Sequence, residues 1–236
     1  MVAFRNRNVN NSEQSSSIKK TSFKSLLCFN KEFIGNFSFN GPPKGGKTYL
    51  MSKIVEHVLQ NNKTHEFTGV ALLVPAEREG WADLSKQCQR AGIPLTVVKK
   101  REGKFLLNLL QAQKNLNKRK RKNKVLLIWD DQYGSIDMNV PPFDFLCKIL
   151  AARSRQPEVN ITWMIASHHS TFSASGVRNN MHGTAITNMH GQYLKDTLAF
   201  CPSFQSSIEE IEGELDEKHR FVLFDGFENK IYSIKA

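Results

Sequence analysis

The sequence predicts an α/β domain: a mostly parallel central sheet flanked by helices on both faces, with a C-terminal β-hairpin. Three observations lead there. Short apolar runs alternate with amphipathic stretches, and the runs are apolar on both faces, as strands buried in a parallel sheet are. A glycine-rich segment, Gly41–Thr48, stands where the first such strand meets the first such helix. An Asp-Gly pair (Asp225-Gly226) separates two strand-like segments near the C-terminus.

The elements follow in order. Phe33–Phe39 alternates apolar and small residues and predicts a strand leading into Gly41. Thr48–Gln60 places Leu50, Met51, Ile54, Val55, Val58 and Leu59 at three- and four-residue spacing, a helix with a wide apolar face. Gly69–Pro75 reads as a buried strand, Trp81–Ala91 as a helix ended by Gly92, and Leu95–Val98 as a short strand. Phe105–Leu116 is a helix that runs into a basic cluster. Lys124–Trp129 is a third buried strand, ending in Asp130 and Asp131. Phe143–Ala152 is helical, and Ile161–Ser167 is a strand ending at His168 and His169. Ala185–Asn188 is a further strand, and Phe221–Phe224 with Lys230–Ile234 forms the hairpin. Residues 1–22, rich in Asn, Ser and Lys, carry no periodicity and read as a flexible basic tail ahead of a domain spanning 23–236. The acidic stretch Glu209–Glu217 reads as a solvated helix.

Composition narrows the function class. At 236 residues with 40% hydrophobic and 23% charged residues, the chain can bury a full core and is neither a disordered polyelectrolyte nor a fibre. No apolar run approaches the roughly 18–20 residues that cross a bilayer, and the polar N-terminus lacks the apolar segment of a secretory signal. Cys28, Cys88, Cys147 and Cys201 are too widely spaced for a zinc finger or a small disulfide framework, and read as reduced thiols in a reducing, intracellular setting.

The net charge of +11 is concentrated. Between Lys99 and Lys124 lie eleven bases and one acid, a local balance of +10. The densest part, Lys118-Arg119-Lys120-Arg121-Lys122, suits a polyphosphate backbone through counterion release. The same run also reads as a localisation signal or a solvated loop.

Gly41-Pro42-Pro43-Lys44-Gly45-Gly46-Lys47-Thr48 matches G-x-x-x-x-G-K-[ST] in full. Glycines let successive N–H groups turn inward as a nest for phosphate oxygens, and the following helix aims its positive end at the same anion. Lys47 can reach the β- and γ-phosphates of ATP and Thr48 can ligate Mg²⁺; Tyr49, next in the chain, is counted with the nucleotide-binding segment. A site of this kind needs a second metal anchor at a neighbouring strand end. Asp130 supplies it, and Asp131 can orient and deprotonate the attacking water; two acids after a strand also suit a helix cap.

Ile161–Ser167 is expected beside the Asp130 strand. This places His168 where a polar sensor meets the γ-phosphate, a bonded structural residue and a metal ligand being the other readings. Arg178, and Arg153 with Arg155, are candidates for an arginine finger acting on a neighbouring subunit's site; surface or DNA-backbone contact is the other role open to each.

Taken in order, the phosphate loop, the Asp130-Asp131 pair, the Arg153/Arg155 segment before an apolar strand, a polar residue at that strand's end and the Arg178-Asn179 pair resemble the FtsK–HerA group of P-loop ATPases. The chain looks most like the compact genome-packaging ATPases of double-jelly-roll-capsid DNA viruses, of poxvirus and membrane-containing-phage type. The resemblance covers roughly residues 33–225. It implies a RecA-like P-loop domain, ATP and Mg²⁺ as cofactors, and a homo-oligomeric ring that translocates double-stranded DNA at a capsid vertex. The implied location is the virion or the infected cell, without a membrane span. The basic segment would then face DNA. The family usually carries Gln at the sensor position, where this chain has Ser167-His168. A P-loop ATPase of virion assembly or export, or another nucleic-acid-dependent ATPase, is the alternative function.

Overall fold

The computed structural model describes residues 18–22, 33–74, 79–99, 103–118, 122–130, 143–168, 177, 179–199, 208–217 and 220–235. Asp131, His169, Arg178, Arg119, Lys120, Arg121, Cys28 and Cys201 lie outside them, as do residues 1–17.

Among the described residues nine strands form one sheet: β1 (Lys19–Ser22), β2 (Asn36–Asn40), β3 (Gly69–Leu73), β4 (Leu95–Val98), β5 (Val125–Trp129), β6 (Ile161–Ser167), β7 (Gly183–Thr187), β8 (Arg220–Asp225) and β9 (Lys230–Lys235). Their order is β1-β9-β8-β7-β2-β6-β5-β3-β4. From β7 through β4 all neighbours run parallel. The predicted C-terminal hairpin, β8 and β9, adds antiparallel strands beyond β7.

Side chains alternate across a strand, and here both faces of the central strands are apolar because helices cover both. On one face Val70, Leu72, Leu126, Ile128, Met164 and Ala166 pack with Leu50, Met51, Ile54 and Val55 of α1 (Lys47–Gln60) and with Leu84 and Cys88 of α3 (Leu84–Ala91). A short helix α2 (Asn62–His65) joins α1 to β3. On the other face Ala71, Leu73, Leu127, Trp129, Trp163 and Ile165 pack with Leu106 and Leu110 of α4 (Gly103–Lys118) and Leu146, Cys147 and Leu150 of α5 (Phe143–Arg153). A third cluster joins the antiparallel strands to α6 (Gly191–Leu198) and α7 (Ile208–Leu215). None of the described helices is long and apolar enough to cross a membrane.

Four features depart from the sequence expectation. Lys19–Ser22, assigned to the tail, is instead an edge strand parallel to β9, with Lys20 bonded to Glu214 at 2.8 Å. The acidic helix is not fully solvated, because Ile211 and Leu215 are buried in the third cluster. The expected Trp81–Ala91 helix divides into a 3₁₀ turn, Glu79–Trp81, and α3. Lys124 is buried, its Nζ donating to the His65 carbonyl at 2.9 Å and lying 4.5 Å from the Phe67 ring centroid, so it belongs to the core and not to the basic surface.

At the end of the sheet where β2 starts, His182 accepts the Asn36 N–H through Nδ1 at 2.9 Å and stacks on Phe227. Burial, reinforced by the nearby Arg155 charge, lowers its pKa from the ordinary 6.5 to about 4. The folded state therefore binds fewer protons than the unfolded state between these values. Stability is complete above about pH 6.5 and is lost as pH falls toward 4. Urea unfolding should show about 1–2 kcal/mol less stability at pH 5 than at pH 7, a difference that shrinks in His182→Gln.

Candidate nucleotide-binding site

Ligands in open parallel sheets collect at the carboxyl ends of the strands, and here three such ends converge. β6 lies between β2 and β5, with Asn40 paired to Ser167 and Trp129 to Ile165. The phosphate loop leaves β2 at Gly41, whose N–H bonds to the Ser167 carbonyl at 3.2 Å. A Cβ on Gly41 would stand 2.3 Å from Thr187 Oγ1 and 2.5 Å from the Thr187 carbonyl, so only glycine lets the loop pass the end of β7. Gly46 takes the left-handed conformation (φ 89°) just before α1, a backbone that disfavours side chains. No side-chain cap closes the first turn of α1, and space lies open beside Gly46.

Lys47 is buried at the first position of α1. Its Nζ donates to the Gly41 and Pro42 carbonyls, each at 2.7 Å, and lies 3.0 Å from Nδ1 of His168. Thr48 donates its hydroxyl to Asp130 Oδ2 at 2.8 Å. The Asp130 carboxylate is buried, and Oδ2 also accepts the Trp81 indole N–H at 2.8 Å. Residues Lys44–Tyr49, Gly80, Asp130 and His168 line a cavity of about 350 Å³. A second, of about 440 Å³, shares Lys44, Gly45, Gly46 and Tyr49 and continues past Leu50, Asn188, Leu215 and Phe221.

The structure thus brings together Gly41, Pro42, Lys44, Gly45, Gly46, Lys47, Thr48, Tyr49, Asp130 and His168. It places Arg153 and Arg155 elsewhere, at the end of α5 and in the turn before β6. The Ile161 N–H bonds the Ser154 carbonyl and Asn36 Nδ2 bonds the Ala151 carbonyl, which puts that turn at the opposite end of the sheet. Arg155 lies over the Phe227 ring there. Lys118 and Lys122 sit at this same far end, where Asn117 bonds the Asn123 and Glu158 backbones. Sequence reasoning missed Trp81 and Gly80. The available signal was an indole-bearing turn just beyond a buried strand, a position that commonly enters a site.

The residues fit a magnesium triphosphate. A hydroxyl and a carboxylate on one hydrogen bond are hard oxygen donors suited to Mg²⁺. The Gly46 opening at a helix N-terminus is a ready anion cradle.

Among solved structures, the genome packaging NTPase B204 from Sulfolobus turreted icosahedral virus 2, in complex with ATP-gammaS, aligns with a TM-score of 0.56 at 15% identity. The alignment covers 85% of this chain and 96% of that one. The pCW3 conjugation coupling protein TcpA, in its ATPgS-bound monomer form, gives 0.58 at 13% identity over 88% of this chain and 61% of TcpA. The cytoplasmic domain of the Thermomonospora curvata Type VII secretion ATPase EccC gives 0.60 at 9% identity, covering 86% and 25%. No protein-family model and no curated protein sequence matches the chain.

The packing of the loop against β7 carries an expected outcome. Gly41→Ala should destabilise the protein by about 1–3 kcal/mol in urea unfolding, because the clash is with backbone and cannot be relieved by a rotamer change. Topology and structural likeness agree: the chain has the fold of the packaging NTPase B204 and the coupling protein TcpA, with its phosphate-type loop at the parallel strand ends.

Proposed function

We propose that this chain is an Mg²⁺-dependent ATPase that translocates double-stranded DNA, packaging a viral genome into a preformed capsid as a homo-oligomeric ring. The observation that carries the reading is the junction of Lys47, Thr48, Asp130 and His168 at three parallel strand ends, in a fold that spans nearly all of a genome packaging NTPase.

In this reading N–H groups of the phosphate loop at the start of α1 cradle the β- and γ-phosphates, and Lys47 exchanges its carbonyl partners for phosphate oxygens. Thr48 and Asp130 hold Mg²⁺, which neutralises charge on the phosphates when bound. Asp131, next in the chain, orients the attacking water. His168 reports the γ-phosphate through its contact with Lys47. Tyr49 and the adjoining cleft take the nucleoside. Arg178, or Arg153 and Arg155, reach a neighbouring subunit's site; the last two lie at the opposite end of the sheet from this chain's own loop. Lys118–Lys122 meet the DNA backbone without reading its sequence.

A P-loop ATPase of assembly or export is the second reading, favoured by the likeness to the secretion ATPase EccC. DNA separates the two. The motor reading expects ATP hydrolysis stimulated by duplex DNA at low salt and abolished in Lys47→Ala and Asp130→Ala. Equal hydrolysis with and without DNA would favour the export reading. Replacing Lys118–Lys122 with Ser should flatten the dependence of log affinity for DNA on log salt by about 0.9 for each phosphate that is no longer neutralised. An unchanged slope would assign the run to another role.

A further inference from the structure

We propose that Trp81 is a positioning residue for the metal site. In this view its indole N–H fixes the Asp130 carboxylate, and the Glu79–Trp81 turn ties that site to helix α3. The inference rests on the nucleotide reading above.

Both donors to Asp130, Thr48 Oγ1 and Trp81 Nε1, end on Oδ2, each at 2.8 Å. Oδ1 receives neither bond. Two donors from separate elements on one oxygen fix the rotation of the carboxylate, and so decide which oxygen a cation meets. A hydrogen bond to a carboxylate is also among the stronger kinds. Thr48 would have to turn a lone pair toward an arriving cation. Trp81 has no such task and is the donor that remains throughout.

A purely packing role accounts for less. An indole N–H can only donate, and this fold also buries an indole that finds no acceptor: Nε1 of Trp163 is buried without a hydrogen-bond partner. Trp81 differs by being aimed at the one buried carboxylate that, among the described residues, faces the phosphate loop. Its turn touches the second metal-facing residue as well, since a Cβ on Gly80 would lie 2.5 Å from Thr48 Cγ2. The turn leads within three residues to α3, whose Leu84 and Cys88 share a core with Leu50, Met51 and Ile54 of α1. One short segment therefore meets Thr48 and Asp130 at one end and the helix layer at the other.

Trp81→Phe keeps the ring and removes the donor. Binding of a fluorescent ATP analogue, titrated with Mg²⁺, should show the half-saturating Mg²⁺ concentration raised about tenfold, as loss of one charge-assisted hydrogen bond predicts. Affinity for the analogue in EDTA should stay within about twofold, because the phosphate loop is untouched. A metal requirement equal to that of the unaltered protein overturns the proposal.

A second measurement is read on the unaltered protein, a variant serving only to assign one signal. The three tryptophans give three indole ¹H–¹⁵N signals. Asp130→Asn assigns the Trp81 signal as the one it moves most. In the unaltered protein, that signal should shift when Mg²⁺ is added to the analogue-bound form. Binding of metal and nucleotide with an unmoved Trp81 signal overturns this proposal alone. Failure of the unaltered protein to bind nucleotide at all overturns the nucleotide reading, and this proposal with it.

Discussion

The hydrogen bond between Thr48 and Asp130 joins residues 82 positions apart, and most of the architecture serves to make it possible. The strands that deliver them are not neighbours, since β6 runs between β2 and β5. Strand parity does the rest. Leu126 and Ile128 face α1, so Asp130, two residues on, falls on the same face. Met164 and Ala166 share that face, and His168 follows them to Lys47. A slip of one residue in either ladder would turn these side chains to the α4–α5 side and leave a buried carboxylate without its donors, at a cost of several kcal/mol. The apolar content of the central strands thus does more than fill a core. It locks the register on which the polar junction depends.

This explains what could be read from the chain and what could not. Features set by local pattern were legible: the bounds of Leu95–Val98 and Ile161–Ser167 agree with the structure, and the helix after the phosphate loop lies within one residue of its expected start. The loop was legible because its backbone demands glycine in sequence. Features set by distant partners were not. Lys19–Ser22 is polar and mostly exposed, and becomes a strand only because β9 offers an edge and Glu214 an anion to Lys20. Lys124 looks like the bases before it, yet the His65 carbonyl and the Phe67 ring draw it into the core. Helix α6 was overlooked because only Leu194, Thr197 and Leu198 are buried, too short an apolar stripe to stand out. Trp81 meets Asp130 across 49 residues with no motif linking them.

Charge is divided between the two ends of the sheet. The phosphate loop occupies the carboxyl ends of the parallel strands, while Lys118, Lys122, Arg153 and Arg155 lie at the other end, roughly 16 Å away along a five-residue strand. Charges that far apart are largely screened from one another in physiological salt. Under the motor reading, a phosphate backbone held at the far end cannot act on the triphosphate by direct electrostatic force within one chain. Coupling has to pass through the rigid sheet and its helices, or through a neighbour whose far end meets this chain's loop. In that same reading a ring would supply the second route, with Arg153 and Arg155 serving an adjacent subunit's site.

The state of Lys47 shows how the site would be ready to bind. Its ammonium lies in a nearly closed place where an unpaired charge would be very costly, and two loop carbonyls satisfy it. Those bonds also hold the loop in its curved form before any anion arrives. Exchanging carbonyl oxygens for phosphate oxygens replaces neutral acceptors with charged ones, a change in the favourable direction. Because the loop is already shaped, little ordering cost opposes it. Trp81 has the matching position on the other side, as a second donor to Asp130 beside Thr48. The amine and the carboxylate are thus each held by their own set of hydrogen bonds, and the Thr48–Asp130 bond is the point where the two halves meet.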